Sequence, residues 1–312
     1  MPADPPSTPR SSPLSQPPPG RGEAGSPDPA AGVGGTLLTA FAAGWSALPL
    51  GLARALGAAV GLVAFGVSPA YRAKLRANLA RAGFTGLRPA LHAALEAGRM
   101  AGELPFIWLR PTGAVARRVQ CDDESVLDEV ERAGRGILFL TPHLGGFEVT
   151  ARWYALRAPI TVMFRPPRKR ALENLLVHTR GGAGLNPVPA TLSGVRAMLR
   201  ALRAGAAVGL LPDQVPGAGE GRWAPFFGEP AYTMTLPTRL VEATGAAVVV
   251  AVGERIAGGW RIRIERLQGD ATPETLNERM ERAIRKLPHQ YLWGYNRYKR
   301  PEGAPAAPEK RP

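Results

Sequence analysis

Short β-rich apolar runs separated by helix-length stretches organise the chain from about residue 88 onward, and this alternation restricts the fold more than any other feature. The runs are Gly136 to Thr141 (GILFLT), Ile160 to Phe164 (ITVMF), Ala207 to Leu211 (AVGLL) and Ala246 to Gly253 (AAVVVAVG). Helix-like stretches fill the intervals at about 123–133, 146–157, 170–181, 192–204 and 235–244, the spacing that βαβ units require. The expectation is an α/β fold with a central, mostly parallel mixed sheet flanked by helices. Trp260 to Arg266 (WRIRIER) alternates apolar with charged residues, as an edge strand with one wet face does.

The N-terminal part has a different character. Residues 1–34 are rich in Pro, Ser and Gly and nearly free of large apolar side chains, so they are expected to form a disordered tail, as are residues 302–312. Leu37 to Ala53 carries no charge, and after Arg54 the apolar character resumes from Ala55 to Ala70. A bilayer span needs about 20 apolar residues. With Pro49 and Arg54 inside the region, a tilted span, a re-entrant hairpin, an interfacial helix and a helix pair packed on a soluble core all stay open. Residues 35–85 are accordingly assigned to a membrane-associated helical segment and residues 86–301 to the α/β domain. Arg72, Lys74, Arg76 and Arg81 follow the apolar region, which places the main domain in the cytoplasm, with its site on the inner face of the membrane, if the segment spans.

The net charge of +14 favours an anionic partner surface: nucleic acid, acidic lipid or an acidic carrier protein. The chain lacks a zinc-finger pattern, a recognition-motif signature and interleaved aromatics, so nucleic acid is the least suited of these. Cys121 is the single cysteine, which excludes an intrachain disulfide, and the four histidines show no metal-ligand spacing, so neither metal nor cofactor is expected.

Gly136 to Ala151, GILFLTPHLGGFEVTA, carries the most chemistry. A buried strand runs into Pro142 and His143, two glycines follow, and Glu148 falls in the first turns of the next helix, at the sheet edge where α/β folds bind ligands. A histidine there can take a proton from a hydroxyl near neutral pH. Glu148 can reach back to hold one tautomer and stabilise the imidazolium, while Gly145 and Gly146 clear space for a substrate. An acid capping a helix N-terminus is the plainer reading of the same spacing. No GxSxG-type nucleophile accompanies the pair, which points to direct transfer to an acceptor hydroxyl.

Several further motifs occur in order: Arg72 with Asn78 and Leu79; HLGGFE from His143 to Glu148; Phe164-Arg165-Pro166; Leu210-Leu211-Pro212-Asp213-Gln214; and Pro225-Phe226-Phe227-Gly228. Ala243 to Val249 and Tyr291-Leu292-Trp293 with Arg297, Lys299 and Pro301 complete the set. Together they resemble the bacterial lipid A biosynthesis acyltransferases, the lauroyl and myristoyl transferases, from about Leu50 to Pro301. The resemblance implies an acyltransferase that moves a fatty acyl chain from acyl carrier protein to a hydroxyl of a lipid A precursor. A coenzyme A donor and another glycolipid or phospholipid acceptor form the alternative.

By that resemblance His143 and Glu148 match the family's catalytic pair. Arg165 matches its arginine after the second central strand and Asp213 the acid of its DQ or DH motif; both are read as substrate-binding. Arg165 would bind an anionic group or stabilise the thioester oxygen, with a salt bridge to Asp213 as the plainer alternative. Asp213 is read as a positioner. Gly294 to Arg297 departs from the family's His-Arg-Arg-like run. From His143 through Asp213 inclusive stand ten Arg or Lys against three Asp or Glu, sharpest at Arg165, Arg168, Lys169 and Arg170, a surface suited to acyl carrier protein or lipid phosphates. Trp223, Phe226 and Phe227 are candidates for an acyl channel or for core.

Overall fold

The computed structural model describes residues 33–164 and 184–308, with side chains from residue 39 onward. The Pro-rich tail through residue 32, the stretch 165–183 and residues 309–312 lie outside the described residues, and with them the expected helix at 170–181.

The four apolar runs form β2 (Ile137–Leu140), β3 (Ile160–Phe164), β5 (Ala207–Leu210) and β8 (Ala247–Ile256). To these the fold adds β1 (Val119–Cys121), β4 (Leu185–Pro189) and β9 (Gly259–Arg266) in a seven-stranded sheet of order β1-β9-β8-β2-β5-β3-β4. Every neighbouring pair is parallel except β8 with β9, which a tight turn joins. The expected α/β class with a mostly parallel mixed sheet is therefore the observed one. A separate antiparallel hairpin pairs β6 (Gly221–Phe226) with β7 (Glu229–Met234).

β2 shows why the central runs are apolar at every position instead of alternating. Ile137 and Phe139 pack with Leu127 and Val130 of α6 (Ser125–Arg132) and Tyr154 of α7 (Phe147–Tyr154). Leu138 and Leu140 face the other way, into the cluster built by Met198 and Leu202 of α8 (Leu192–Arg203) and Leu240 of α9 (Leu236–Thr244). Met280 and Ile284 of α10 (Pro273–Lys286) complete that side. With helices on both faces, successive side chains are all buried.

The N-terminal region forms α1 (Val33–Ala47), α2 (Leu50–Val67) and α3 (Pro69–Arg81), followed by α4 (Leu87–Leu109) and α5 (Thr112–Ala116). α2 packs along α4 and is tied to the sheet by Arg54, which is 7% exposed. Its guanidinium donates to Glu103 at 2.8 Å and to the carbonyls of Ile256 and Gly259, which flank the β8–β9 turn. Arg255 closes on both oxygens of the same Glu103 and on Glu96, and Trp260 lies under the Arg54 guanidinium at 4.9 Å. A buried carboxylate between two arginines is compensated where a lone one would not be.

Two strands differ from the sequence reading. β9 is one place in from the edge, because the three-residue β1 pairs along its outer side. β4 contains Pro187 and Pro189, which lack the N–H a central strand needs; it sits at the opposite edge, where only β3 pairs with it.

Candidate active site

The parallel register of β2 and β5 places Leu140 opposite Leu210. Three residues beyond each, His143 and Asp213 leave the carboxyl ends of adjacent strands side by side. The ladder runs one step further through the Thr141 N–H to the Leu210 carbonyl at 3.0 Å and then gives way to side-chain bonding. The His143 backbone N–H donates to Asp213 Oδ2 at 2.9 Å, and its ring Nδ1 lies 2.8 Å from Asp213 Oδ1. One carboxylate therefore grips both the main chain and the imidazole of the same residue.

The loop from His143 to Gly146 is fixed on its other sides as well. The His143 carbonyl accepts from the Leu292 N–H at 3.0 Å. The Gly145 N–H donates to the Gln290 carbonyl at 3.0 Å and the Gly146 N–H to the Gly253 carbonyl at 2.7 Å. The glycines meet protein here, which is a different reason for them than access for a substrate. A Cβ on Gly145, whose φ is +59°, would lie 2.1 Å from the Gly253 carbonyl oxygen, and one on Gly146 would lie 2.3 Å from the Trp260 ring.

Asp213 is buried, at 3% exposure, and its surroundings favour the charged form. Burial pushes its carboxyl up, but the adjacent His143 ring, the two hydrogen bonds from His143 and the Arg297 charge outweigh that and hold it below the usual carboxylate range. Burial, and secondarily the Asp213 charge, hold the Tyr291 hydroxyl protonated, well above its ordinary value. An ionised Asp213 only accepts, so Nδ1 carries the proton and Nε2 presents its lone pair. Gln214 Nε2 sits 3.0 Å from that lone pair, placed to donate to it. The His143 ring also rests against Phe147, with centroids 4.7 Å apart.

His143, Glu148 and Gln214 line one cavity of about 910 Å3. Its wall is largely aliphatic and aromatic, with Phe139, Ile160, Val162, Leu185, Leu199 and Leu240 among the contributors. Thr141, Thr150 and Thr191 add hydroxyls. A large apolar hollow with a few convergent polar groups at the carboxyl ends of parallel strands is the usual form of a small-molecule site. Among the described residues, no three or more His, Cys, Asp or Glu side chains gather to hold a metal ion.

The profile of the family described as bacterial lipid A biosynthesis acyltransferase matches residues 32–300, the greater part of the chain. The protein belongs to this family. The acyltransferase is 28% identical over 211 residues to the lipid A biosynthesis palmitoleoyltransferase of Escherichia coli K12, covering 64% of this chain and 68% of the relative. It is 28% identical over 215 residues to the lipid A biosynthesis lauroyltransferase of the same strain, covering 65% and 70%. A lipid A biosynthesis acyltransferase of Haemophilus influenzae Rd is 27% identical over 182 residues, covering 54% and 56%.

Of the residues singled out in the sequence of this acyltransferase, the fold brings His143, Glu148 and Asp213 to one end of the sheet. Arg165 and the cluster Arg168, Lys169 and Arg170 lie outside the described residues. Phe226 and Phe227 are core residues, meeting edge to face and packed at a tilt against Tyr298 and Trp293 respectively, and Trp223 packs on Tyr232. The Gly294 to Arg297 run is structural: the Tyr295 hydroxyl accepts from the Val215 N–H at 2.9 Å, and buried Arg297 donates to the Tyr232 carbonyl and the Thr233 hydroxyl. Asn78 of α3 donates to the Trp293 and Tyr295 carbonyls, which accounts for a buried polar side chain in that helix. The sequence reading missed Gln214 as a partner of His143; its place directly after Asp213 at the end of an apolar run was the available signal.

Proposed function

We propose that the enzyme transfers a fatty acyl chain from the thioester of acyl carrier protein to a hydroxyl of a lipid A precursor, with His143 Nε2 as the general base. The observation that carries this reading is His143 on the wall of the apolar cavity with the buried Asp213 carboxylate behind it, 2.8 Å from Nδ1. An anchored Nδ1–H leaves Nε2 as the basic nitrogen, the division of labour a serine-protease histidine shows. The acceptor hydroxyl takes the place of the Gln214 amide and gives its proton to Nε2 as its oxygen attacks the thioester carbonyl. The C–O bond forms, the tetrahedral adduct collapses, the C–S bond breaks, and the proton on Nε2 passes to the departing sulfur. No acyl-enzyme intervenes.

Asp213 orients the imidazole and stabilises the imidazolium. Glu148, in the first turn of α7 and on the same cavity wall, adds negative charge towards the ring as it becomes cationic. Arg165 keeps the role of oxyanion or anion ligand on the family resemblance. The aliphatic part of the cavity receives the acyl chain. A lipid acceptor supports a location at the inner membrane, and the cations that follow the apolar helices support the cytoplasmic face for the active domain. The test offers acyl carrier protein and coenzyme A thioesters in parallel with a lipid A precursor and follows products by mass spectrometry. A gain of one acyl chain with the carrier-protein donor is expected; transfer from coenzyme A alone contradicts the donor assignment, and no transfer from either contradicts the acceptor.

A further inference from the structure

α2 has 18 residues and is long and apolar enough to cross a membrane by length and composition. Its packing points elsewhere. One face is built into the protein along most of its length: Ala53, Arg54, Gly57, Ala58, Gly61 and Phe65 are buried. Gly57 and Gly61 interleave with Gly98 and Gly102 of α4 so closely that a Cβ on any of the four would lie 2.2 or 2.3 Å from a facing backbone oxygen. Such close approach leaves no space for lipid between the two helices.

The opposite face is uncovered. Leu52, Leu56, Val60, Val63 and Val67 are 46, 41, 62, 61 and 74% exposed, and their spacing of three and four residues sets them in one stripe. The midpoint of α2, between Gly57 and Gly61, lies against residues 94–102 of α4. That stretch carries Glu96 and Arg99, paired at 2.5 Å, with the Arg99 side chain 41% exposed. Glu103 follows directly. Standing α2 across a bilayer would carry this ionised stretch to mid-membrane, where charge is costly and rare. Laying it flat puts only the stripe into lipid.

Charge identifies the surface. From residue 33 to residue 95 the sequence contains no Asp or Glu. Arg72 caps the last turn of α2 through the Phe65 and Gly66 carbonyls, and Lys74 and Arg76 stand exposed on α3 immediately beyond. An apolar stripe continued by exposed cations, with the nearby Glu96 and Glu103 turned inward into ion pairs, is complementary to the headgroups of an anionic bilayer.

We propose that α2 lies in the plane of an anionic membrane surface, with Leu52, Leu56, Val60, Val63 and Val67 in one leaflet, and does not cross it. This rests on the reading of the enzyme as one that meets a lipid acceptor. The full chain, with Cys121 replaced by serine, receives single cysteines at Leu52, Val60 or Val67, each labelled with an environment-sensitive fluorophore. The labelled proteins are bound to vesicles of phosphatidylglycerol and phosphatidylethanolamine, and depth is read with quenchers at known positions. The three labels are expected to move to a blue-shifted environment at a common shallow depth. A spanning helix, at 1.5 Å per residue, would instead place Val60 about 11 Å deeper than either end, which overturns the proposal. Labels that stay in a water-like environment overturn it too, as do blue-shifted labels that the lipid-borne quenchers do not reach, the result expected if a second copy of the chain covers the stripe.

A Lys74→Glu, Arg76→Glu double variant should bind phosphatidylglycerol vesicles about tenfold or more weakly, and unchanged binding contradicts the charge assignment. Turnover in detergent micelles separates the two readings. An enzyme active in micelles with a spanning depth profile loses only this inference, whereas an inactive one with a flat profile loses the catalytic reading.

Discussion

Replacing Asp213 with asparagine tests the site through a single atom. The carboxylate accepts twice from His143, from the backbone N–H at Oδ2 and from ring Nδ1 at Oδ1. An asparagine has one acceptor oxygen. The backbone N–H can only donate and must keep that oxygen, which turns the side-chain NH2 towards Nδ1. Nδ1 then becomes the acceptor and the ring proton moves to Nε2, the nitrogen proposed to take a proton from the substrate. The same tautomer error in a serine protease costs about 10⁴ in kcat, equivalent to roughly 5.4 kcal/mol at 1.36 kcal/mol per decade. Little change in KM is expected, because Asp213 is buried behind the ring. The assay is steady-state acyl transfer followed by mass spectrometry, beside a ¹⁵N spectrum of the histidines, in which His143 should switch from the Nδ1–H to the Nε2–H form. A folded Asp213→Asn enzyme within tenfold of wild-type kcat would refute the assignment of Asp213 as the orienting acid.

Other consequences are open to direct measurement. Glu103→Gln leaves Arg54 and Arg255 facing each other without their buried carboxylate and should lower stability by about 3 kcal/mol or more in denaturant unfolding; an unchanged midpoint would contradict the role given to this network. The Asp213 carboxyl sits below its ordinary value in the folded chain, so its contribution is complete above the unfolded value of about 3.9 and is lost as pH falls from there through the folded value. Asp213→Asn should therefore show a shallower acid limb of stability than wild type, and identical limbs would contradict the shift. Leu199→Trp fills part of the cavity and should shorten the preferred acyl chain in a competition among donors, with similar kcat on the short ones; an unaltered preference would place the chain elsewhere.

The sheet was legible where burial on both faces forces continuous apolar runs, as in Ile137–Leu140, Ile160–Phe164, Ala207–Leu210 and Ala247–Ile256. It was illegible where pairing depends on a distant partner. Val119–Cys121 is too short to show a period, and Leu185–Pro189 carries prolines that argue against a strand unless its edge position is known. The site divides in the same way. His143 and Glu148 stand out because they lie five positions apart in one segment, whereas the acid on Nδ1 is 70 residues away. Its position follows from the equal three-residue offsets of His143 and Asp213 beyond Leu140 and Leu210, once those strands are known to be neighbours in register. The two glycines after His143 invited a reading of open space for a substrate because the strand that fills it, at Gly253, lies a hundred residues further on.

The central claim is that His143 Nε2 removes the acceptor proton in direct transfer. Single-turnover acyl transfer from acyl carrier protein to a lipid A precursor, wild type beside His143→Ala with thioester binding measured on both, tests it most directly. Donor binding within a few-fold of wild type and a transfer rate lower by about 10³ or more are expected for His143→Ala; transfer at a near wild-type rate by the folded variant would rule out His143 as the base.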